Sequence, residues 1–369
     1  MLRPRFKLIS LSFVAVFLLA ACGGIASPTA VPAATTASGA TSAPTTQATA
    51  RPATASAAGT ATRSGTTTTS GTATRTTAAG SATAAAAPRP QLPVTVKDKD
   101  GRSVTISDVS RTIALTGDVA EIIWALGMSG NVIATDTSVT YPPEAQKAPK
   151  IGYMRTLAAE GLLAQKPTLL IGGESAGPPE VLEQLRSAGV PVVIIASPTT
   201  LAAPGQKIRA VAAALGVPTA GEQLTSTTQA EIDAALALAA KATTRPRVMF
   251  LNVRGNQVQQ ISGKGAPAQS IIEAAGGIDA GTAAGVTGYK SITPEALVTG
   301  QPDFYLLFKL GLDSVGGVDG LLKIPGVDQT PAGSGRRILN YEDQYLLGLG
   351  PRTGQMLREL VLALHPELK

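Results

Sequence analysis

One stretch of this 369-residue chain, residues 199–242, is rich in alanine and leucine and limits the folds open to it. Its main break is Gly216-Val217-Pro218, and proline interrupts a helix because it lacks a backbone N–H. We therefore predict a short helix before the break and a long one over about residues 220–241. Short apolar runs alternate with amphipathic runs on both sides of this stretch. The pattern predicts an α/β fold in which two Rossmann-like lobes are joined by a single long helix.

The two lobes are expected to cover residues 92–199 and 244–369, with connecting helices over 200–243. A hairpin is predicted at 94–106, around Asp98-Lys99-Asp100-Gly101. Continuous apolar runs predict parallel strands covered by helices on both faces. We expect strands at 112–115, 132–134, 168–171, 192–195, 247–253, 304–308 and 337–339. We expect helices at 119–126, 157–165, 179–188, 268–275, 293–299 and 354–364.

The N-terminus has the features of a secretory signal. Arg3, Arg5 and Lys7 precede a short apolar run that ends in Leu19-Ala20-Ala21-Cys22. This ending resembles a bacterial lipobox, so we predict a lipoprotein signal peptide at 1–21 and lipidation of Cys22. Residues 25–90 are almost entirely Ala, Thr, Ser, Gly and Pro. Such a composition buries too little apolar surface to fold, so a disordered tether is predicted at 22–91. The protein would be extracytoplasmic and anchored to the outer face of the cell membrane.

The charge and the missing side chains exclude several functions. The net charge of +6 belongs to the first 90 residues, because the remainder holds 24 basic and 25 acidic residues. Nucleic-acid binding is therefore not expected. The single histidine, His365, is predicted to be an exposed residue at a helix end, and Cys22 is the single cysteine. A histidine-based metal site or catalytic triad is thus excluded, and we expect a ligand-binding protein rather than an enzyme.

Several short motifs specify the class of binding protein. They are Thr116-Gly117-Asp118-Val119-Ala120-Glu121-Ile122, Asp136-Thr137-Ser138, Gly152-Tyr153-Met154-Arg155, Ala159-Glu160-Gly161, Gly177-Pro178-Pro179 and Gly288-Tyr289-Lys290-Ser291-Ile292-Thr293-Pro294-Glu295-Ala296. With these motifs the chain resembles the haem-binding proteins of bacterial haem ABC importers. That resemblance covers residues 92–365. It implies the class III periplasmic binding protein fold, haem as the transported ligand, and a permease dimer with its ATPase as partner. A monomer is expected.

The resemblance also implies roles for individual residues. Tyr153 corresponds to the axial ligand of the haem iron, and a phenolate suits ferric iron when a nearby positive charge lowers its pKa. Arg155 could supply that charge or pair with a haem propionate. Glu160 and Glu295 correspond to the glutamates, one on each lobe, that dock on arginines of the permease. The pocket is further expected to include Arg254, Tyr289, Lys290 and Tyr141.

One departure from the family pattern sets the expected stoichiometry. Some relatives hold a second haem with a histidine after the first strand of the C-terminal lobe, where this chain has Arg254. Arginine remains protonated and cannot ligate iron, so we expect one haem per protein. Two alternatives stay open. The chain could bind cobalamin or a ferric siderophore on the same fold, or it could be a tethered sensor lipoprotein without a transported ligand.

Overall fold

A computed structural model describes residues 88–369, which lie within one compact unit, Gly80–Lys369. Cys22, the predicted signal peptide and all but the last four residues of the predicted tether lie outside the described residues. Gln91, the last residue of that tether, donates its backbone N–H to the carbonyl of Gly216 at 2.8 Å. The described chain is thus attached to the folded unit from at least this residue onward.

The N-terminal lobe is a parallel sheet with a hairpin beside it, as the sequence predicts. The hairpin pairs β1 (Val94–Lys97) with β2 (Ser103–Ile106). The sheet has the order β4 (Val132–Thr135), β3 (Thr112–Ala114), β5 (Leu169–Gly173) and β6 (Val192–Ile195), and all its strand pairs are parallel. Apolar clusters fill both faces of the sheet, which explains the continuous burial of β5 and β6. The remaining elements are α1 (Gly117–Ala125), α2 (Ala159–Ala164) and α3 (Pro179–Ser187).

A helical pair connects the lobes and confirms the predicted break. The first helix is α4 (Ala203–Ala214), and the second is α5 (Pro218–Ala239), whose 22 residues span about 33 Å. Leu224, near the start of α5, packs against the N-terminal core, whereas Ala235 and Ala239 belong to the C-terminal core. The single long helix therefore bridges the two lobes.

The C-terminal lobe contains a mixed sheet. Its strands lie in the order β10 (Tyr289–Ser291), β8 (Val258–Ser262), β7 (Arg247–Arg254), β11 (Phe304–Phe308) and β12 (Ile338–Tyr341), and β9 (Ile278–Asp279) also pairs with β7. Strand β11 is parallel to β7 and β12, whereas β8 is antiparallel to β7 and to β10. The remaining elements are α6 (Pro267–Ala274), α7 (Ala280–Ala283), α8 (Pro294–Gly300), α9 (Lys309–Ser314), α10 (Gly317–Leu321), α11 (Pro331–Ser334), α12 (Asp343–Leu347) and α13 (Thr353–Leu364).

The sequence-based assignment missed β8, β9 and β10, and also α7 and α9 to α12. These strands have two to five residues and the helices four to six. Such lengths are too short to show a hydrophobic period, and β8 places two glutamines in its centre. The antiparallel part of the sheet was therefore not predicted.

The prediction that His365 is an exposed helix-end residue is wrong. Its side chain is fully buried just beyond α13, and its Nε2 lies 3.0 Å from the carbonyl of Ala275. Gly276 permits this contact, because a Cβ there would lie 2.9 Å from the imidazole. The apolar face of α13 carries the histidine into the core, where it meets the end of α6.

Candidate ligand-binding cleft

The carboxyl ends of the parallel strands of both lobes meet at one place in the molecule. Thr140, in the loop after β4, donates from Oγ1 to Oε1 of Glu342, which follows β12, at 2.7 Å. Gln344 of α12 donates from Nε2 to Oε2 of Glu121 on α1, also at 2.7 Å. Ligands of open α/β sheets bind outside the carboxyl ends of the strands. The space bordered by these facing edges is therefore the candidate cleft.

Tyr153 lies in a loop that is fixed to the carboxyl edge of the N-terminal sheet. The backbone N–H of Thr137 donates to the carbonyl of Gly152 at 3.0 Å, and that of Gly177 donates to the carbonyl of Met154 at 2.8 Å. Both neighbours of Tyr153 are thus held, while its own side chain remains 45% exposed. The fold presents a phenol outward from a fixed backbone, which is what an axial ligand requires.

The buried carboxyl group of Asp136 holds the turn that follows β4. Asp136 is fully buried and accepts the backbone N–H of Ser138 at 2.9 Å. Burial raises the pKa of Asp136, against the hydrogen bonds from Ser138 and the charge of Lys150. Asp136 thereby fixes the turn after β4, whose Thr137 donates its backbone N–H to Gly152 beside Tyr153.

Arg254 ends β7 at the carboxyl edge of the C-terminal sheet. Its guanidinium forms an ion pair with Asp343, donates to the carbonyl of Val253 at 3.1 Å, and lies 5.3 Å from the ring centre of Phe308. Burial raises the pKa of Asp343, and the charge of Arg254 opposes that shift. The arginine side chain is still 39% exposed, so it can meet an anionic or phenolic group in the cleft.

Tyr141 and Arg155 occupy different environments. The ring of Tyr141 lies 3.6 Å from the guanidinium carbon of Arg352, which itself binds both carboxylate oxygens of Glu121 at 2.9 and 2.8 Å. Tyr141 therefore belongs to the contact between the lobes. Arg155 is exposed and has no ion-pair partner among residues 88–369. A pocket-lining role for Tyr141 and a propionate contact for Arg155 stay predictions.

Tyr289 and Lys290 lie on the edge strand β10, away from the end of β7. Lys290 pairs with Ile261 of β8, which pairs with Leu251 of β7, three residues before Arg254. This register places Lys290 about 10 Å short of Arg254 along the strands and about 10 Å to the side. The Tyr289 side chain is 38% exposed, and the burial of the rest raises its pKa. The sheet does not bring these two residues next to Arg254.

Glu160 and Glu295 occupy equivalent positions on the two lobes. Glu160 lies in the first turn of α2 and Glu295 in the first turn of α8, and both are exposed. Neither has an ion-pair partner within the part of the chain that the structure describes. Their placement at helix starts agrees with the prediction, whereas a docking role is untested by the geometry.

Some residues of the cleft could not be found from the sequence. Glu342, Asp343 and Gln344 are consecutive, and each contacts a residue far along the chain. An acidic pair is common in the first turn of a helix, so the sequence gives no sign of these distant contacts. Within residues 88–369, no cluster of three or more His, Cys, Asp or Glu side chains could hold a metal ion, and no helix is long and apolar enough to cross a membrane.

The chain is similar to known proteins over most of its folded part. The family model described as "Periplasmic binding protein" matches residues 113–345. The chain belongs to this family. Among solved structures it is similar to the periplasmic heme-binding protein RhuT from Roseiflexus sp. RS-1, with 52% identity and a TM-score of 0.69 over 71% of this chain and 100% of that one. The predicted resemblance and the predicted fold class are thereby confirmed.

Further similar proteins are named for binding either heme or vitamin B12. The heme-binding protein HmuT is 34% identical with a TM-score of 0.70, over 75% of this chain and 91% of that one. The vitamin B12-binding protein of Pectobacterium carotovorum subsp. carotovorum (strain PC1) is 33% identical over 89 residues. That match covers 24% of this chain and about a third, 32%, of the relative's length.

Proposed function

We propose that this member of the periplasmic binding protein family captures haem in the cleft and delivers it to an ABC importer. Tyr153 is the axial ligand of the iron, and one haem binds per protein. The observation that carries the proposal is the placement of Tyr153, an exposed phenol on a fixed loop at the carboxyl edge of the N-terminal sheet. The similarity to RhuT over its whole length supports the choice of cargo.

The chemistry of the cleft fits this cargo. Ferric haem is a flat apolar ring with a hard metal centre and two carboxylates. Phenolate oxygen is a hard anionic donor for the iron. Arg254 or Arg155 can offer bidentate hydrogen bonds to a propionate, or hold a positive charge near the phenolate. With no histidine or cysteine side chain in the cleft among residues 88–369, Tyr153 is the strongest iron ligand that the described fold offers there.

The test of the cargo is a titration of the purified protein with hemin. We expect a Soret band that grows to an end point of one hemin per protein, and no comparable change with cyanocobalamin. The similarity to vitamin B12-binding proteins makes cyanocobalamin the informative competitor. Tight cyanocobalamin binding without a hemin signal would replace this proposal with cobalamin transport. A protein that binds neither ligand would favour the tethered sensor.

Delivery requires docking on the permease, which we assign to Glu160 and Glu295. Replacing either glutamate with lysine should weaken docking about ten-fold or more, because a buried interfacial charge pair is lost and repulsion replaces it. Hemin binding should be unchanged. The measurement is hemin-stimulated ATPase activity of the permease–ATPase complex in proteoliposomes, as a function of binding-protein concentration.

Glu180 provides the matched control for docking. It is an exposed glutamate in the first turn of α3 on the same lobe as Glu160. Glu180→Lys makes the same change of charge in the same helical position and should leave the ATPase response unaltered. Equal losses in Glu160→Lys and Glu180→Lys would mean that general charge, rather than these two sites, governs docking.

We also propose that the N-terminal features keep this function outside the cytoplasm. A lipid on Cys22 and a flexible tether would hold the binding lobes near the permease at the outer face of the membrane. The 66 residues from 25 to 90 would give an average reach of about 45 Å by random-coil scaling. Labelling with a radioactive fatty acid, and its loss in Cys22→Ser, would test the anchor.

A further inference from the structure

We infer that Asp343 is a positioning residue that holds Arg254 in place for the cargo, and that the neighbours of Asp343 fix it to the opposite lobe. This inference rests on the proposed function. It concerns a carboxylate that contributes no ligand to the iron in that function. The structural element that carries it is the start of α12, residues 342–344.

The contacts of Arg254 show how its guanidinium is held. Asp343 binds one terminal nitrogen through Oδ2, the carbonyl of Val253 accepts from the other, and the ring of Phe308 covers the group at 5.3 Å. Within residues 88–369, these contacts leave the Nε of the guanidinium without a hydrogen-bond partner. An arginine on a flexible stem loses side-chain entropy when it meets a ligand, so holding it in advance reduces the cost of binding.

Asp343 is itself placed by its two neighbours in the chain. Glu342 accepts the hydroxyl of Thr140 at 2.7 Å, and Gln344 donates to Glu121 at 2.7 Å. Thr140 and Glu121 belong to the N-terminal lobe, so the tripeptide is attached to that lobe on both sides of Asp343. The position of Arg254 therefore depends on a contact between the lobes, although Arg254 is on the C-terminal lobe.

A second observation points to Asp343 as a functional group rather than a simple surface partner. Its Oδ1 is buried and has no hydrogen-bond partner among the described residues. Leaving a buried carboxylate oxygen unpaired is unfavourable, because it loses its hydrogen bonds to water without gaining others. An asparagine side chain at this position could donate a hydrogen bond as well as accept one. A residue kept only for stability would therefore more readily be a neutral amide than a carboxylate.

The experiment is a double-mutant cycle on hemin affinity. We expect Asp343→Ala to weaken hemin binding about 10-fold, because an arginine that is no longer held in advance must be ordered when it meets the ligand. In the Arg254→Ala background the same substitution should change affinity less than about two-fold, because the group it positions is absent. Asp343→Glu should recover part of the affinity. Asp343→Asn serves as the second variant if the alanine protein fails to fold.

Two controls separate positioning from structural damage. Asp313→Ala removes another carboxylate of the same lobe, one that pairs with Lys309 at 2.7 Å on the exposed helix α9, and should leave hemin affinity unchanged. Thermal unfolding should then show whether loss of stability tracks loss of affinity across the variants.

The outcomes distinguish this inference from the proposed function. If the wild-type protein shows no hemin signal, the proposed function fails and the inference falls with it. If the wild type binds hemin but Asp343→Ala and Asp343→Asn bind equally well, the inference alone is overturned. It is also overturned if the effects of Asp343→Ala and Arg254→Ala multiply, because independent effects exclude action through Arg254.

Discussion

Replacing Lys207 with methionine should lower the free energy of unfolding by about 3 kcal/mol, because it leaves a largely buried carboxylate without its partner. The side chain of Lys207 on α4 is only 3% exposed. Its Nζ forms an ion pair with Asp118 of the N-terminal lobe and donates to the carbonyl of Gly348 in the C-terminal lobe at 2.7 Å. One ammonium group thus joins both lobes to the connecting helices. Chemical denaturation measures the effect.

An exposed lysine gives the matched control. Lys309 pairs with Asp313 at 2.7 Å, but both side chains are more than half exposed, so Lys309→Met should cost less than about 1 kcal/mol. The double variant Lys207→Met, Asp118→Asn should recover stability relative to Lys207→Met alone, since no charge is then left unpaired. Equal effects of Lys207→Met and Lys309→Met would contradict the prediction.

The contribution of the Lys207–Asp118 ion pair to stability should depend on pH in a definite direction. Burial by itself would raise the pKa of Asp118, but the charge and hydrogen bond of Lys207 prevail and hold that pKa below its usual value. The pair therefore stabilises the fold above the unfolded pKa of about 4, and this contribution is lost as the pH falls through the folded value. The deficit of Lys207→Met relative to wild type should shrink under acidic conditions.

Replacing Tyr153 with phenylalanine should weaken hemin binding about 100-fold or more, because loss of an outer partner alone weakens metal affinity by up to that factor. The substitution removes one oxygen and keeps the ring. The loop of Tyr153 is held by backbone hydrogen bonds of its neighbours, so the fold should be unaffected. The Soret maximum of any residual complex should shift, since the iron loses its phenolate. Absorbance titration with hemin measures both results.

Tyr141→Phe and Tyr289→Phe are the matched controls for this change. The two tyrosines are 39% and 38% exposed, close to the 45% of Tyr153. The Tyr141 ring can remain on Arg352 as phenylalanine, and Tyr289 lies on the edge strand, so each should alter affinity by less than about three-fold, under 1 kcal/mol. If one of these variants, rather than Tyr153→Phe, abolishes the hemin spectrum, the axial ligand is assigned to the wrong tyrosine.

Much of the architecture follows from local patterns in the chain. Continuous apolar runs over β5 and β6, and the proline that starts α5, indicated a covered parallel sheet and a bridging helix. Patterns of this kind are local, because burial on both faces and helix capping are decided within a few residues. The short elements after β7 carry no such pattern, and the assignment missed them.

The candidate site, too, was predictable only in part from local patterns. The motif around Tyr153 marks an exposed phenol, and the neutral charge balance and missing histidines limit the chemistry without any coordinates. The burial of His365 could not be predicted, because it depends on Gly276 and the end of α6. The contact of Tyr141 with Arg352 could likewise not be predicted, because Arg352 is more than 200 residues away in the chain.

Local patterns in the chain thus specify the fold class, the bridging helix and the residue types that could hold a ligand. Which of these residues act together is set by the packing of the two lobes. The contacts of Arg254 with Asp343, Thr140 with Glu342, and Glu121 with Gln344 join residues 89, 202 and 223 positions apart. Hydrophobic periodicity records which face of an element is buried. It contains no information about which polar side chain of a distant loop will contact a given residue. The polar contacts that border the cleft therefore form only when the two lobes pack against each other.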